Sequence, residues 1–211
     1  MYYSLPMWLT FSRIAAIPVI AALFWVDGDE WRYVACAIYG IAAATDWLDG
    51  YLARVWAQQS KLGRMLDPIA DKLLVAAVIL LLVAFGRMSH ITVVAALIIL
   101  LREVLVSGLR EFLAELRVGL PVSALAKWKT TAQMVALGFL IVSDAEATAF
   151  IPSQAIGEVL LWIAAALTLY TGYDYLRIGL KHADDTPVPQ QDTKPEPGPE
   201  SGPDVARRRS A

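Results

Sequence analysis

The chain has 211 residues, of which 57% are hydrophobic and 18% are charged, and its mean hydropathy is +0.52. This composition excludes an ordinary water-soluble enzyme, because such a chain carries more polar surface. The net charge of −2 provides no basic face, so we expect no nucleic-acid partner. Since helices satisfy their own backbone hydrogen bonds in lipid, the sequence predicts an all-α integral membrane protein.

Six apolar runs are each long enough to cross a bilayer, which takes about 20 residues of helix. We therefore predict six transmembrane helices. In chain order they lie at residues 7–26, 33–56, 67–86, 90–112, 123–143 and 155–180.

Lysine and arginine are concentrated in alternate connections between these runs, at residues 54–64, at residues 110–129 and after the last run. Because positive charges in short loops stay in the cytoplasm, we expect these connections and both termini to be cytoplasmic. In a bacterial-type cell the protein would lie in the inner membrane.

The end of the chain differs from the rest. Residues 183–211 are rich in proline, glycine and polar side chains, and such a segment buries too little apolar surface to offset its ordering entropy. We predict a membrane domain over residues 1–182 and a disordered tail over 183–211.

Four aspartates lie within the predicted spans, where an ionised carboxylate costs several kcal/mol unless it faces a cavity or a cation. Helical spacing places Asp46 and Asp49 on one face of the second helix, and Asp67 and Asp71 on one face of the third together with Gly63. The four acids can therefore meet across one helix interface.

Carboxylates gathered in a low dielectric repel one another unless cations bind between them. All-oxygen ligands favour Mg²⁺ or Mn²⁺, and two such ions can clamp a phosphoryl group for displacement. Two other interpretations stay open. The acids could form structural ion pairs with Arg54, Arg64 and Lys72, or they could mark the path of a cation transporter or proton relay.

The same residues resemble the signature of the CDP-alcohol phosphatidyltransferases. The pattern DxxDGxxAR, eight residues, GxxxDxxxD is filled without a gap by Asp46, Asp49, Gly50, Ala53, Arg54, Gly63, Asp67 and Asp71. The resemblance implies a six-helix membrane enzyme, usually a homodimer, that transfers a phosphatidyl group from a CDP-lipid to an alcohol and releases CMP.

The resemblance also implies a role for each matched residue. The four aspartates would bind two divalent cations, Mg²⁺ or Mn²⁺, and Asp71 would additionally be the general base. The residues implied to bind the CDP-lipid are Gly50, Arg54, Ser60 and Thr10. For Ser60, an ordinary loop serine is the alternative interpretation.

Four cations in the second half of the chain could hold a phosphate: Arg102, Arg110, Lys127 and Lys129. The blocks REVLVSGLREF and AKWKTTAQM resemble those of the phosphatidylglycerophosphate synthases, a subfamily that uses glycerol 3-phosphate. Plain positive-inside charges are the alternative.

The opening LPMWLTFSRIAAIPV is similar to the amino-terminal stretch of the same subfamily, except that Met7 stands where the subfamily usually has asparagine. Methionine lacks the amide hydrogen bonds of asparagine, so any contact assigned to that position is lost. Aromatic side chains near span ends, including Tyr173 and Tyr175, are interpreted as an interfacial belt.

The expected reaction joins CDP-diacylglycerol, embedded among membrane lipids, to sn-glycerol 3-phosphate and gives phosphatidylglycerol phosphate and CMP. An enzyme of the same family that uses serine, an inositol phosphate or phosphatidylglycerol is one alternative. An inactive scaffold subunit is another, although all four acids are present.

Overall fold

The computed structural model describes residues 5–56, 61–115, 124–143, 145 and 151–185, with side chains over most of these ranges. Within them the chain forms six α-helices and no strand. The helices are α1 (Leu5–Phe24), α2 (Asp29–Trp56), α3 (Lys61–Ala84), α4 (His90–Glu115), α5 (Ala124–Ile141) and α6 (Ser153–Asp185).

Each predicted run overlaps one of these helices, so the prediction of an all-α chain with six helices is confirmed for the residues that the structure describes. Among the described residues, three helices are long and apolar enough to cross a membrane by length and composition: Met7–Phe24 in α1, His90–Ala114 in α4 and Ser153–Arg177 in α6.

The helix bounds differ most from the predicted ones at two polar ends, the start of α3 and the end of α6. Helix α3 begins at Lys61 rather than at residue 67, so Gly63, Asp67 and Asp71 lie on one continuous helix. Helix α6 continues through residues 183–185, which we assigned to the tail. The remainder of the predicted tail lies outside the described residues.

The helices form two groups. Helix α1 packs against α2 and α3, whereas α6 packs against α4 and α5, and contacts of α5 with α2 and α3 connect the groups. Fully buried residues such as Leu82, Ile99 and Leu137 form the shared core. Alanines on α4, α5 and α6 let the backbones approach closely.

Two arginines hold the carboxyl end of α5. Arg32 of α2 donates a hydrogen bond to the carbonyl oxygen of Ser143 at 2.7 Å, and Arg87, which follows α3, donates one to that of Ile141 at 2.8 Å. The Arg87 guanidinium also lies 4.3 Å from the ring centroid of Phe24. We call this end of the bundle, defined by Arg32, Arg87 and Ser143, the far end.

Candidate active site

Helix α1 positions the two described acids of α3. The hydroxyl of Thr10 donates a hydrogen bond to Asp67 Oδ1, and Arg13 Nη1 pairs with Asp71 Oδ1. The Arg13 side chain is fully buried, whereas that of Asp71 is 34% exposed. The Asp71 carboxylate therefore faces accessible space on one side and a buried cation on the other.

The spacing on the two helices explains why these contacts form together. Thr10 and Arg13 are three residues apart and share a face of α1, and Asp67 and Asp71 are four apart and share a face of α3. Thr10 contacts Asp67, and Arg13 contacts Asp71. Because the pairs follow the same order along both helices, α1 and α3 run in the same direction.

The other half of the predicted acid set comes from α2. Asp46, Asp49, Gly50 and Arg54 belong to α2, but their side chains lie outside the described part of the structure. Ser60 lies outside it altogether. Among the described side chains no group of three or more histidine, cysteine, aspartate or glutamate residues is close enough to bind a metal ion.

The two described carboxylates nevertheless fit a hard divalent cation. Both are oxygen donors one helical turn apart, both are partly exposed, and their hydrogen bonds to α1 hold them in fixed orientations. The ion pair of Asp71 is with Arg13, a cation we did not assign from the sequence. An arginine inside an apolar helix was the available signal, because its charge requires a carboxylate nearby.

Lys72 follows Asp71 on α3 and donates a hydrogen bond to the hydroxyl of Ser107 on α4. Within α4, Ser107 lies between Arg102 and Arg110. The acids of α3 and these arginines are therefore at the same end of the bundle. We call this end, defined by Asp67, Asp71 and Arg102, the polar end.

Arg102 is held by four groups of the protein. Its Nε donates to the carbonyl oxygen of Thr168 at 3.1 Å, and its Nη2 donates to the hydroxyl of Thr171 at 2.9 Å. Its Nη1 lies 3.4 Å from Oε1 of Glu103, and its guanidinium lies over the ring of Tyr175. Its side chain is 11% exposed, so its orientation is constrained.

Two more of the four predicted phosphate-holding cations belong to this cluster. The buried Lys129 of α5 pairs with Glu103, and Arg110 lies over the same Tyr175 ring as Arg102. Lys127 is exposed, and within the described residues no contact joins its side chain to the cluster. Arg102 and Lys129 thus share Glu103, and Arg102 and Arg110 share the Tyr175 ring.

Tyr175 was interpreted as part of an interfacial belt, and that interpretation is wrong. The residue is 5% exposed and lies under two guanidinium groups, whereas Tyr173, two residues earlier, is 66% exposed. Aromatic residues near a helix end are ambiguous in sequence, because either face of the helix can be turned toward lipid.

The sequence profile of the CDP-alcohol phosphatidyltransferase family matches residues 3–170. A protein of Rickettsia bellii named CDP-diacylglycerol–glycerol-3-phosphate 3-phosphatidyltransferase is 46% identical over 179 residues, which are 85% of this chain and 97% of that protein. Proteins with the same name are 38% identical in Cereibacter sphaeroides, over 88% of this chain and 99% of theirs, and 41% identical in Haemophilus influenzae, over 84% and 94%. The chain therefore belongs to the CDP-alcohol phosphatidyltransferase family.

Proposed function

We propose that this chain transfers a phosphatidyl group from CDP-diacylglycerol to sn-glycerol 3-phosphate, giving phosphatidylglycerol phosphate and CMP. The observation that carries the proposal is its similarity, over nearly the whole length of the relatives, to proteins named for these two substrates. The cation cluster on α4 and α5 supports it, because a phosphorylated acceptor brings an anion that neutral alcohols lack.

The acids would hold the nucleotide end of the donor. Members of the family generally depend on divalent cations, and Asp46, Asp49, Asp67 and Asp71 are the proposed ligands of two Mg²⁺ or Mn²⁺ ions. Bound there, the ions would neutralise the pyrophosphate. The Thr10 hydroxyl orients Asp67 and would thereby contribute to binding the CDP-lipid.

Gly50, Arg54 and Ser60 are the remaining residues proposed to bind the CDP group. A glycine lets a ligand lie against the helix backbone, and a guanidinium can bind two phosphate oxygens at once.

The acceptor would bind beside the acids, with its phosphate on Arg102, Arg110 and Lys129, and with Lys127 at the exposed edge. Its hydroxyl would give its proton to Asp71 while its oxygen forms a bond to the phosphatidyl phosphorus. The bond from that phosphorus to the bridging pyrophosphate oxygen breaks, and CMP leaves. The guanidinium of Arg13 holds the Asp71 carboxylate in place.

The proposal includes a cellular setting. Six helices would cross a bacterial inner membrane within a domain of residues 1–182, both termini and the polar end would face the cytoplasm, and two copies would form a homodimer. Residues 183–211, apart from the end of α6, would form a disordered tail.

The reaction is tested by measuring CMP release from CDP-diacylglycerol by the purified protein with Mg²⁺. Release should require sn-glycerol 3-phosphate and stop with a chelator. Release that is equal with serine, an inositol phosphate or phosphatidylglycerol would contradict the proposed acceptor. Cation flux in liposomes without CMP release would instead identify a transporter.

The role of Asp71 is tested by Asp71→Asn, which keeps the shape of the side chain but removes the proton acceptor. We expect turnover to fall by roughly 100-fold or more, because general-base catalysis contributes about that much. Asp27→Asn is the matched control, since Asp27 is an exposed acid at the far end, and it should leave turnover unchanged. Near-normal turnover of Asp71→Asn at saturating Mg²⁺ would exclude Asp71 as the base.

A further inference from the structure

One face of α6 is built around the Arg102 side chain. Thr168, Thr171, Gly172 and Tyr175 are spaced by three, one and three residues, so they form a single stripe on the helix. Two members of the stripe accept hydrogen bonds from the guanidinium. We call these four residues the α6 stripe.

Gly172 allows this close approach. A Cβ atom at this position would lie 3.1 Å from Cγ and 3.3 Å from Nε of Arg102, which is tighter than ordinary van der Waals contact. The absence of a side chain at Gly172 therefore lets the arginine lie directly on the helix backbone.

Tyr175 brings the two arginines of α4 together. The guanidinium carbons of Arg102 and Arg110 each lie 5.7 Å from the centre of its ring. Like charges repel, and the negative face of an aromatic ring offsets part of that repulsion. The ring thus holds two cations near each other at the place where an anion is proposed to bind.

The hydroxyls of Thr168 and Tyr175 are both left unexplained by this arrangement, and that of Tyr175 belongs to the ring beneath the two guanidinium groups. The Tyr175 hydroxyl is buried, and within the described part of the chain it has no hydrogen-bond partner. Burying a hydroxyl without a partner is unfavourable, because its hydrogen bonds to water are lost and none replaces them. A ligand that accepts a hydrogen bond from this hydroxyl would remove that cost. Phosphate oxygens only accept hydrogen bonds, and the two neighbouring guanidinium groups attract them.

We propose that Tyr175 determines specificity for the phosphate of the acceptor, with its ring positioning Arg102 and Arg110 and its hydroxyl donating a hydrogen bond to a phosphate oxygen. This inference rests on the proposed function and adds a residue of α6 to it. The chemical class recognised is a phosphate monoester.

The test is the kinetics of Tyr175→Phe, which removes the hydroxyl and keeps the ring. The KM for sn-glycerol 3-phosphate should rise about tenfold or more, as expected for the loss of a hydrogen bond to a charged group. The KM for CDP-diacylglycerol should stay within twofold, a split that a general loss of packing would not produce. Tyr173→Phe, on the exposed face of α6, is the matched control and should match the unmodified protein.

Tyr175→Leu removes the ring as well. It should raise the KM for sn-glycerol 3-phosphate further, because Arg102 and Arg110 lose their contact with the aromatic ring. Its thermal unfolding separates this effect from misfolding, and Tyr175→Phe stands as the test if the leucine variant does not fold. An unchanged KM for sn-glycerol 3-phosphate in Tyr175→Phe would overturn the role of the hydroxyl while leaving the proposed function intact. Failure of the unmodified protein to use sn-glycerol 3-phosphate would overturn both.

Discussion

Arg13 shows how an apolar helix carries a full charge. Its side chain is completely buried in α1, and the cost of that burial is reduced by the carboxylate of Asp71 on α3. Thr10, on the same face of α1, contacts the other described acid, Asp67. The first helix therefore orients two carboxylates of the proposed site, although it is not one of the two helices that carry the acid motif.

The contact between Thr10 and Asp67 leads to a prediction about metal dependence. Thr10→Val keeps the shape of the side chain but removes the hydroxyl that orients the carboxylate. We expect the Mg²⁺ concentration for half-maximal CMP release to rise roughly 10- to 100-fold, the usual effect of losing a hydrogen bond to a metal ligand. A Mg²⁺ titration measures it.

Thr10→Ser is the matched control for this prediction, because serine retains a hydroxyl at the same position, and its titration should stay close to that of the unmodified protein. An unchanged Mg²⁺ requirement in Thr10→Val would mean that the hydrogen bond does not serve a metal ligand.

At the scale of the helices, close packing depends on glycines at particular positions. A Cβ atom at Gly157 of α6 would lie 2.8 Å from Cγ of Leu140 and 3.1 Å from the carbonyl oxygen of Ala136, both on α5. A Cβ atom at Gly40 of α2 would meet no atom within 4 Å. The two glycines therefore differ in what surrounds them.

Alanine substitutions at these two positions should have opposite effects on thermal stability. Gly157→Ala should lower the free energy of unfolding by about 1–3 kcal/mol, because the added methyl overpacks the α5–α6 interface. Gly40→Ala should raise it by up to about 1 kcal/mol, since alanine is the better helix former. Thermal unfolding of both variants in detergent measures the difference, and equal midpoints would contradict this account of the α5–α6 packing.

The helices were predictable because long apolar runs bounded by charges leave few alternatives, and all six are present. The shared face of Asp67 and Asp71 was also predictable, because residues four apart lie on the same face of a helix. Which helix packs against that face was not, because it depends on tertiary packing. The ion pair between Arg13 and Asp71 and the burial of Tyr175 also depend on tertiary packing, so the sequence alone did not predict them.

At the scale of the whole molecule, the polar contacts are separated into two ends. The acids of α3 and the cations of α4 and α5 lie at the polar end, connected by the hydrogen bond from Lys72 to Ser107. Arg32 and Arg87 lie at the far end. This separation allows the polar end to face one side of a membrane and the far end the other.

The proposed topology predicts which ends can be labelled from outside the cell. In a Cys36→Ser background, Asp27→Cys places a thiol at the far end and Arg177→Cys places one at the polar end; both positions are exposed. A membrane-impermeant maleimide should label the first variant in intact cells and the second only after lysis. The reverse pattern would show that the polar end faces outward.

The arginines at the far end bear on how the chain is assembled. Arg32 and Arg87 precede α5 in the chain, yet their guanidinium groups bind carbonyl oxygens at the end of that helix, where the helix dipole is negative. During synthesis both charges are made before their acceptors exist. A ribosome-bound chain that stops before α5 would therefore lack these two hydrogen bonds, and synthesis of the fifth helix would connect α2 and the end of α3 through its carboxyl end.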